Sequence, residues 1–302
     1  MQITTKTKKK ILDRVFIWGM LLLPIIWFLT FWLYVNLNSI LMGFKVYVGA
    51  GKYEWSLQNF KDIFYEFSLP DSVLPLALKN TLKFFPLNLL TIALSVLFSY
   101  LFYRRMPGYK VFRVIFYLPS IISGVIMVTV FKNVIGPNGP LALMLKNYFG
   151  YTAETIPYFT SDPKYAMGTI LFFTVWTSFG LNVIMFGGAM ARAPQQVIES
   201  ARVDGVGMFR ELFSIMVPLI WPTLSTVLIF ALAGIFTASG VTLLMTNGAY
   251  DTMTISLYIF QNVTAASYEM PSALGLLFTI IGFPIVLVGR HFLNKIFAEV
   301  EY

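Results

Sequence analysis

The feature that most limits what this chain can become is a succession of apolar stretches, each long enough to cross a lipid bilayer. They run at about Val15–Ile40, Leu82–Tyr103, Val111–Phe131, Ala166–Met190, Val217–Leu244 and Ser272–Gly289. Crossing the hydrocarbon core takes roughly 20 mostly apolar residues in a helix, because no water is present there to satisfy the backbone amides. The expectation is an all-α polytopic bundle of about six transmembrane helices in a single domain, residues 1–302. The chain is 57% hydrophobic and 12% charged, with mean hydropathy +0.73, far from the balance of a water-soluble domain.

The formal charge of +8 would suit nucleic acid if it formed a basic face on a soluble fold, but the cations sit at the ends of the apolar runs, so nucleic acid is set aside. Lys6, Lys8, Lys9, Lys10 and Arg14 precede the first run, which is too long for a signal peptide and ends without a small-x-small cleavage site, so it reads as an uncleaved span. With that end cytoplasmic, the even-numbered boundaries fall inside too, and they carry Arg104, Arg105, Lys110, Arg113, Arg192, Arg202, Arg210, Arg290 and Lys295. Both termini are then expected on the cytoplasmic side. Trp32, Tyr34, Tyr100, Phe102 and Tyr103 near the run ends suit either interfacial belts or lipid-facing filler.

The chain has no cysteine, which removes disulfides, thiol catalysis and thiolate metal sites. Its one histidine, His291, ends the last run and has no partners for a metal site or triad. Neither a G-x-x-x-x-G-K-[ST] phosphate loop, a G-x-S-x-G elbow nor an H-E-x-x-H helix occurs. No metal and no cofactor bound by this chain is expected, and it reads as a non-enzyme. The six runs hold no Asp or Glu; apart from Lys83 and Arg113 near run ends, their polar residues are uncharged, among them Asn88, Thr174, Ser178, Ser95 and Ser99. For most of these, bonding to a neighbouring helix is the simpler reading. Without intramembrane acids, carboxylate-based ion coupling has no seat, so the interior suits a neutral cargo and any uphill energy must come from another chain.

Between the fourth and fifth runs, residues 193–216 form a loop of different character. Pro194 is placed to be a first helical residue, and Gly205 and Gly207 to terminate a helix of about 16 Å. Val197, Ile198 and Ala201 share a face, with Gln195, Glu199 and Arg202 beside it. A second short helix with Phe209, Leu212 and Phe213 follows before Pro218 opens the fifth run. From the residues alone, this is either a docking element or an amphipathic loop lying on the lipid surface.

The loop resembles the EAA loop of binding-protein-dependent ABC importer permeases, E-A-A-x-x-D-G-A, an aromatic position, then I-x-x-P. Glu199, Ala201, Asp204, Gly205, Ile215 and Pro218 match, Phe209 takes the aromatic position, and Ser200 and Val206 replace alanines. Residues 244–261 are similar to an outer loop of the family's carbohydrate-uptake branch, L-T-x-G-G-P-x-x-x-T-x-x-L-x-x-Y-x-Y, with Gly248-Ala249-Tyr250 in place of the glycine-glycine-proline core. Asn80-Thr81 and Asn59-Phe60 resemble further pieces of the same branch, so the likeness reaches from the first outer loop to the last run.

The resemblance implies a type I ABC importer permease of the maltose or glycerol-phosphate kind, multi-pass in the inner membrane of a prokaryote. The implied partners are a second permease, two ATPase subunits that use ATP and Mg, and an extracytoplasmic solute-binding protein. Glu199, Ser200, Ala201, Asp204, Gly205, Phe209 and Pro218 would form the coupling contact: Glu199 reaching the ATPase, Ala201 allowing close approach, Asp204 and Gly205 setting the turn. Trp176, Thr177, Asn182, Phe236 and Thr237 are the expected pathway residues, since aromatic faces and hydroxyls suit sugar rings. The alternatives are an ATP-independent channel or facilitator for a small neutral solute, and a non-transport membrane scaffold.

Overall fold

The structure, a computed structural model, describes residues 5–49, 51–152, 154–265 and 268–296. The side chains of residues 5–8 and of Thr264 lie outside it, as do both chain ends, so the expected placement of the termini and of Lys6 and Lys8 falls outside the described residues. The chain divides into two compact units, residues 1–65 with 262–277, and residues 66–261 with 278–302.

The first unit opens with α1 (Thr5–Trp27), a π-helical stretch (Phe28–Tyr34) and α2 (Val35–Met42). Its apolar side chains from Ile11 to Leu41 are largely exposed, the state of a helix meant for a lipid solvent. Next comes an antiparallel hairpin that the apolar pattern did not foretell, β1 (Lys45–Gly49) and β2 (Lys52–Trp55), with Val46 opposite Glu54. Asn59, on α3 (Gln58–Ser68), is buried and donates its amide to the carbonyls of Gly43 (3.0 Å) and Lys45 (2.8 Å), while Phe60 packs on Phe44 at 5.2 Å. The Asn59-Phe60 pair thus fixes the hairpin base. At Gly43 an added Cβ would sit 3.0 Å from the Ala273 backbone nitrogen, a tight contact that would push the two backbones apart by a few tenths of an ångström.

The second unit is built on α4 (Val73–Tyr103) and α8 (Pro163–Ala191), which pair along much of their length, with α5 (Tyr109–Ile121) against α8. Ser99 donates to the Val183 carbonyl across that pair at 3.0 Å, as expected of hydroxyls in an apolar bundle. Gly180 lets α5 approach, because a Cβ there would fall on the Phe116 carbonyl. Phe98, Phe116 and Phe179 seal the junction edge to face, with centroids 4.9 to 5.4 Å apart.

Two expected spans are broken. The run at 111–131 divides into α5 and α6 (Gly124–Ile135), and the axis turns through 109° between Tyr109–Ile121 and Gly124–Phe149. Pro119 withholds an amide near the end of α5, and Ile122 then becomes extended. After α6 come α7 (Pro140–Phe149), in the turn-rich loop, and α8. The fifth run does not open at Pro218. A helical stretch comprising α10 (Met208–Glu211), a π-turn (Leu212–Met216) and α11 (Val217–Leu219) passes through it and bends by 78° at Ile220. The cause is Pro222, whose ring would clash with the carbonyl four residues back in a continued helix. The next helix, labelled α12 (Trp221–Ala233), ends at Ala233, 11 residues before the expected end at Leu244, and α13 (Gly240–Thr246) follows. The chain ends with α14 (Ile255–Thr264) and α15 (Glu269–Ile296). Among the described residues, four helices are long and apolar enough to cross a membrane, or up to six if each bent pair is one span.

Candidate functional site

The loop at 193–216 is a compact, internally bonded unit. Its first helix, α9 (Gln195–Val203), has nine residues and is about 14 Å long, shorter than expected because Pro194 is the residue before the helix, extended at ψ 116°, and not its first turn. The helix ends in a closed turn: Val206 N–H donates to the Ala201 carbonyl (3.1 Å) and Gly205 N–H to the Arg202 carbonyl (3.1 Å), with Gly205 at φ +74°. This bond pair requires a left-handed residue, which is why glycine stands there. Gly207, extended at ψ 157°, then leads into α10.

Burial sorts the loop's side chains. Ile198 is fully buried and joins Phe186, Met190, Leu212 and Met216 in one apolar cluster with α4 and α12. Ala201 is also buried, so its small side chain faces this chain and not outward. Val197 departs from the expected inner face and is 44% exposed. Glu199, Ser200, Asp204 and Phe209 are exposed, and Pro218 is half-buried. Val203 (87% exposed), Phe209 and Phe213 give the loop an apolar outer face.

A residue that sequence reasoning passed over holds the loop in shape. Glu211 is fully buried and accepts two bonds from Arg202, from Nε at 3.1 Å and Nη2 at 2.9 Å. This forked contact holds the Arg202 pKa above its ordinary value, through the hydrogen bond to the carboxylate first. The only hint in the sequence was an acid set between Arg210 and Leu212 in an otherwise apolar stretch. Two α4 tyrosines clasp the same loop: Tyr100 Oη donates to the Met208 carbonyl (3.2 Å), and Gln195 Nε2 donates to Tyr103 Oη (3.1 Å).

Elsewhere the structure joins two stretches that the sequence had marked separately. Asn80 donates to the carbonyls of Asp251 (2.7 Å) and Met253 (3.0 Å), 171 and 173 residues away, and Thr81 Oγ1 accepts from the Ile255 amide (3.0 Å). Asn80-Thr81 is therefore the bracket that holds the turn at 247–254. In that turn Asn247, Gly248, Tyr250 and Asp251 all have positive φ.

Between α4, α8 and the unwound segment after Gly234 lies a cavity of about 180 Å³ lined by Asn88, Thr91, Thr174, Ser178, Gly234 and Thr237, together with apolar neighbours and no charged group. The Asn88 and Ser178 side chains make no hydrogen bond among the described residues, which leaves an amide and a hydroxyl for a guest. The unwound segment explains the early end of α12: irregular backbone at membrane depth is tolerated where it lines a cavity. Of the expected pathway residues, only Thr237 lines this space. Trp176 packs on Phe131 and Phe173 at 6.0 Å, Thr177 is bonded back to the Phe173 carbonyl at 2.9 Å, Phe236 lies against Phe278 at 4.7 Å, and Asn182 is half-buried outside the lining.

Comparison with known proteins bears on both features. Protein LplB of Bacillus subtilis (strain 168) is 28% identical over 295 residues, covering 93% of this chain and 89% of that protein. The maltose/maltodextrin transport system permease protein MalF of Salmonella typhimurium is 27% identical over 164 residues, 54% of this chain and 31% of MalF. A chain in the crystal structure of a bacterial ABC transporter involved in the import of the acidic polysaccharide alginate superposes with TM-score 0.79 and 26% identity, covering 96% of this chain and 99% of that one. The same transporter, solved with an alginate pentasaccharide-bound periplasmic protein, gives TM-score 0.78 and 26% identity over 97% and 99%. The family model for the inner membrane component of binding-protein-dependent transport systems matches residues 90–298, a span that takes in the loop, its tyrosine clasps on α4 and most of the cavity wall, and the chain belongs to that family.

Proposed function

We propose that this permease forms half of an import path for a neutral sugar or oligosaccharide and is driven by a separate ATPase that grips residues 193–216. The observation that carries the reading is the loop's construction: a braced inner side, with Ile198 and Glu211 fully buried, carries an exposed outer side of Val203, Phe209 and Phe213. A surface that moves helices must be stiff toward its own chain and sticky toward its partner. Glu199, Ser200, Asp204, Gly205 and Phe209 supply the outward contact, and Ala201 and Pro218 the support. Movement reaches α4 through Tyr100 and Tyr103, and the path alternates by rocking of packed helices. The partners are a second permease, two ATPase subunits using ATP and Mg, and an extracytoplasmic solute-binding protein. Both termini face the cytoplasm of a prokaryote, as the Lys/Arg asymmetry requires.

The uncharged cavity supports a neutral cargo, bound through Asn88, Ser178 and Thr237. The test is uptake in vesicles holding the assembled transporter, with co-purification of the ATPase read in parallel. Gly205→Trp is expected to insert normally but to abolish uptake and ATPase recovery, while Asn88→Leu keeps the ATPase and loses uptake. Wild-type transport by the Gly205 variant refutes the grip; wild-type transport by the Asn88 variant refutes the cavity. An amphipathic loop lying on lipid, as in an ATP-independent facilitator, predicts no ATPase recovery from the wild type either.

A further inference from the structure

A second cavity, of about 560 Å³, opens beside the loop in a groove between the ends of α4, α5 and α8. Arg104, Arg105, Arg113 and Arg202 line it with Tyr103, Tyr109 and Tyr117, and no carboxylate lines it. Arg202 is held by Glu211, whose charge also reaches Arg104 without a direct ion pair, whereas Arg105 and Arg113 form no ion pair among the described residues. Arg113 lies over the Tyr109 ring at 5.7 Å, which steadies it without neutralising it. Space around Gly187, where an added Cβ would meet nothing within 4 Å, deepens the floor. On α5 the groove residues Tyr109, Arg113 and Tyr117 recur every four positions, while Val111, Val114 and Leu118 are exposed on the neighbouring face of the same helix.

We propose that this groove is a headgroup site for an anionic phospholipid. Its phosphate sits among the Arg104, Arg105 and Arg113 guanidiniums, the tyrosine hydroxyls bond the remaining phosphate and glycerol oxygens, and the acyl chains run along Val114 and Leu118. Guanidinium forks suit phosphate oxygens, and basic pockets between membrane helices bind such headgroups. A free phosphate ion shares the chemistry but leaves most of the volume and the adjoining apolar face unused. Arg104, Arg105 and Arg113, which hold the phosphate, lie outside residues 193–216, while Gln195 and Arg202 of that loop complete the groove wall.

The test uses the full-length protein in mild detergent, stripped of loosely held lipid. It is exposed in turn to phosphatidylglycerol, to phosphatidylcholine with the same acyl chains and to inorganic phosphate, with bound molecules counted by native mass spectrometry. Phosphatidylglycerol is expected to be retained, phosphatidylcholine about tenfold less, and excess inorganic phosphate not to displace the lipid. Arg104→Gln with Arg113→Gln lowers retention about thirtyfold, the scale expected when two surface cations are removed. Arg113→Lys retains it, and Arg290→Gln, an equal change of charge outside the groove, has no effect. Should the double variant fail to elute as a single species, Tyr117→Phe and Arg113→Gln alone are read for the same loss. Equal retention of the two lipids, undiminished retention in the groove variants, or equal loss in Arg290→Gln overturns the site. Displacement by inorganic phosphate overturns the lipid and assigns the groove to a soluble anion.

Discussion

Glu211 has no solvent, so its charge is sustained by the two Arg202 bonds. Glu211→Ala removes both and leaves the guanidinium partly exposed, at an expected cost of about 2 kcal/mol. Glu211→Gln keeps an acceptor oxygen and should fall between wild type and alanine. Thermal unfolding of the purified chain in one detergent orders the three; equal midpoints for Ala and wild type would mean that the pair is ornamental. The sequence marked Arg202 as a boundary cation and a polar neighbour on the helix but not as a brace, because a pair formed across a reversed chain has no short-range pattern. Asn80-Thr81 makes the same point from the other side. Its motif was legible, yet its task of holding backbone carbonyls 171 and 173 residues away was not.

At the scale of elements, close approach decides the packing. Gly180 admits α5 to α8, since a Cβ would fall on the Phe116 carbonyl, while Gly168 on the same helix has nothing within 4 Å. Gly180→Ala should therefore destabilise by about 1–3 kcal/mol through overpacking. Gly168→Ala, which gains helix propensity, should be neutral or stabilising. Melting curves of the two single variants against wild type check the contrast, and equal shifts would remove the steric account. Helix existence was plain from apolar run length; helix continuity was not. Pro119 and Pro222 break the third and fifth runs, and the reading that placed the fifth start at Pro218 weighed the wrong proline. Apolar composition is blind to such breaks because the residues on either side of Ile122 and Ile220 remain equally hydrophobic.

At the scale of the molecule, the loop must meet another chain if energy enters there. Because the chain has no cysteine, single cysteines report cleanly. Phe209→Cys and Phe213→Cys should react with a maleimide in the isolated permease and become protected once ATPase subunits are bound, whereas Tyr148→Cys, 82% exposed on α7, should stay reactive in both states. Unchanged labelling at 209 and 213 would exclude the outer face of the loop as the contact. The sequence by itself determined the membrane solvent, the helical class, the number of apolar runs and the turn that closes α9 at Gly205, since each depends on local composition or on residues a few positions apart. The tertiary structure alone decided which polar groups face a cavity, which bond their own helix, and which acid braces the loop. Those outcomes depend on the rotation and bending of packed helices, and a cavity wall assembled from α4, α8 and the segment after Gly234 has no contiguous trace along the chain.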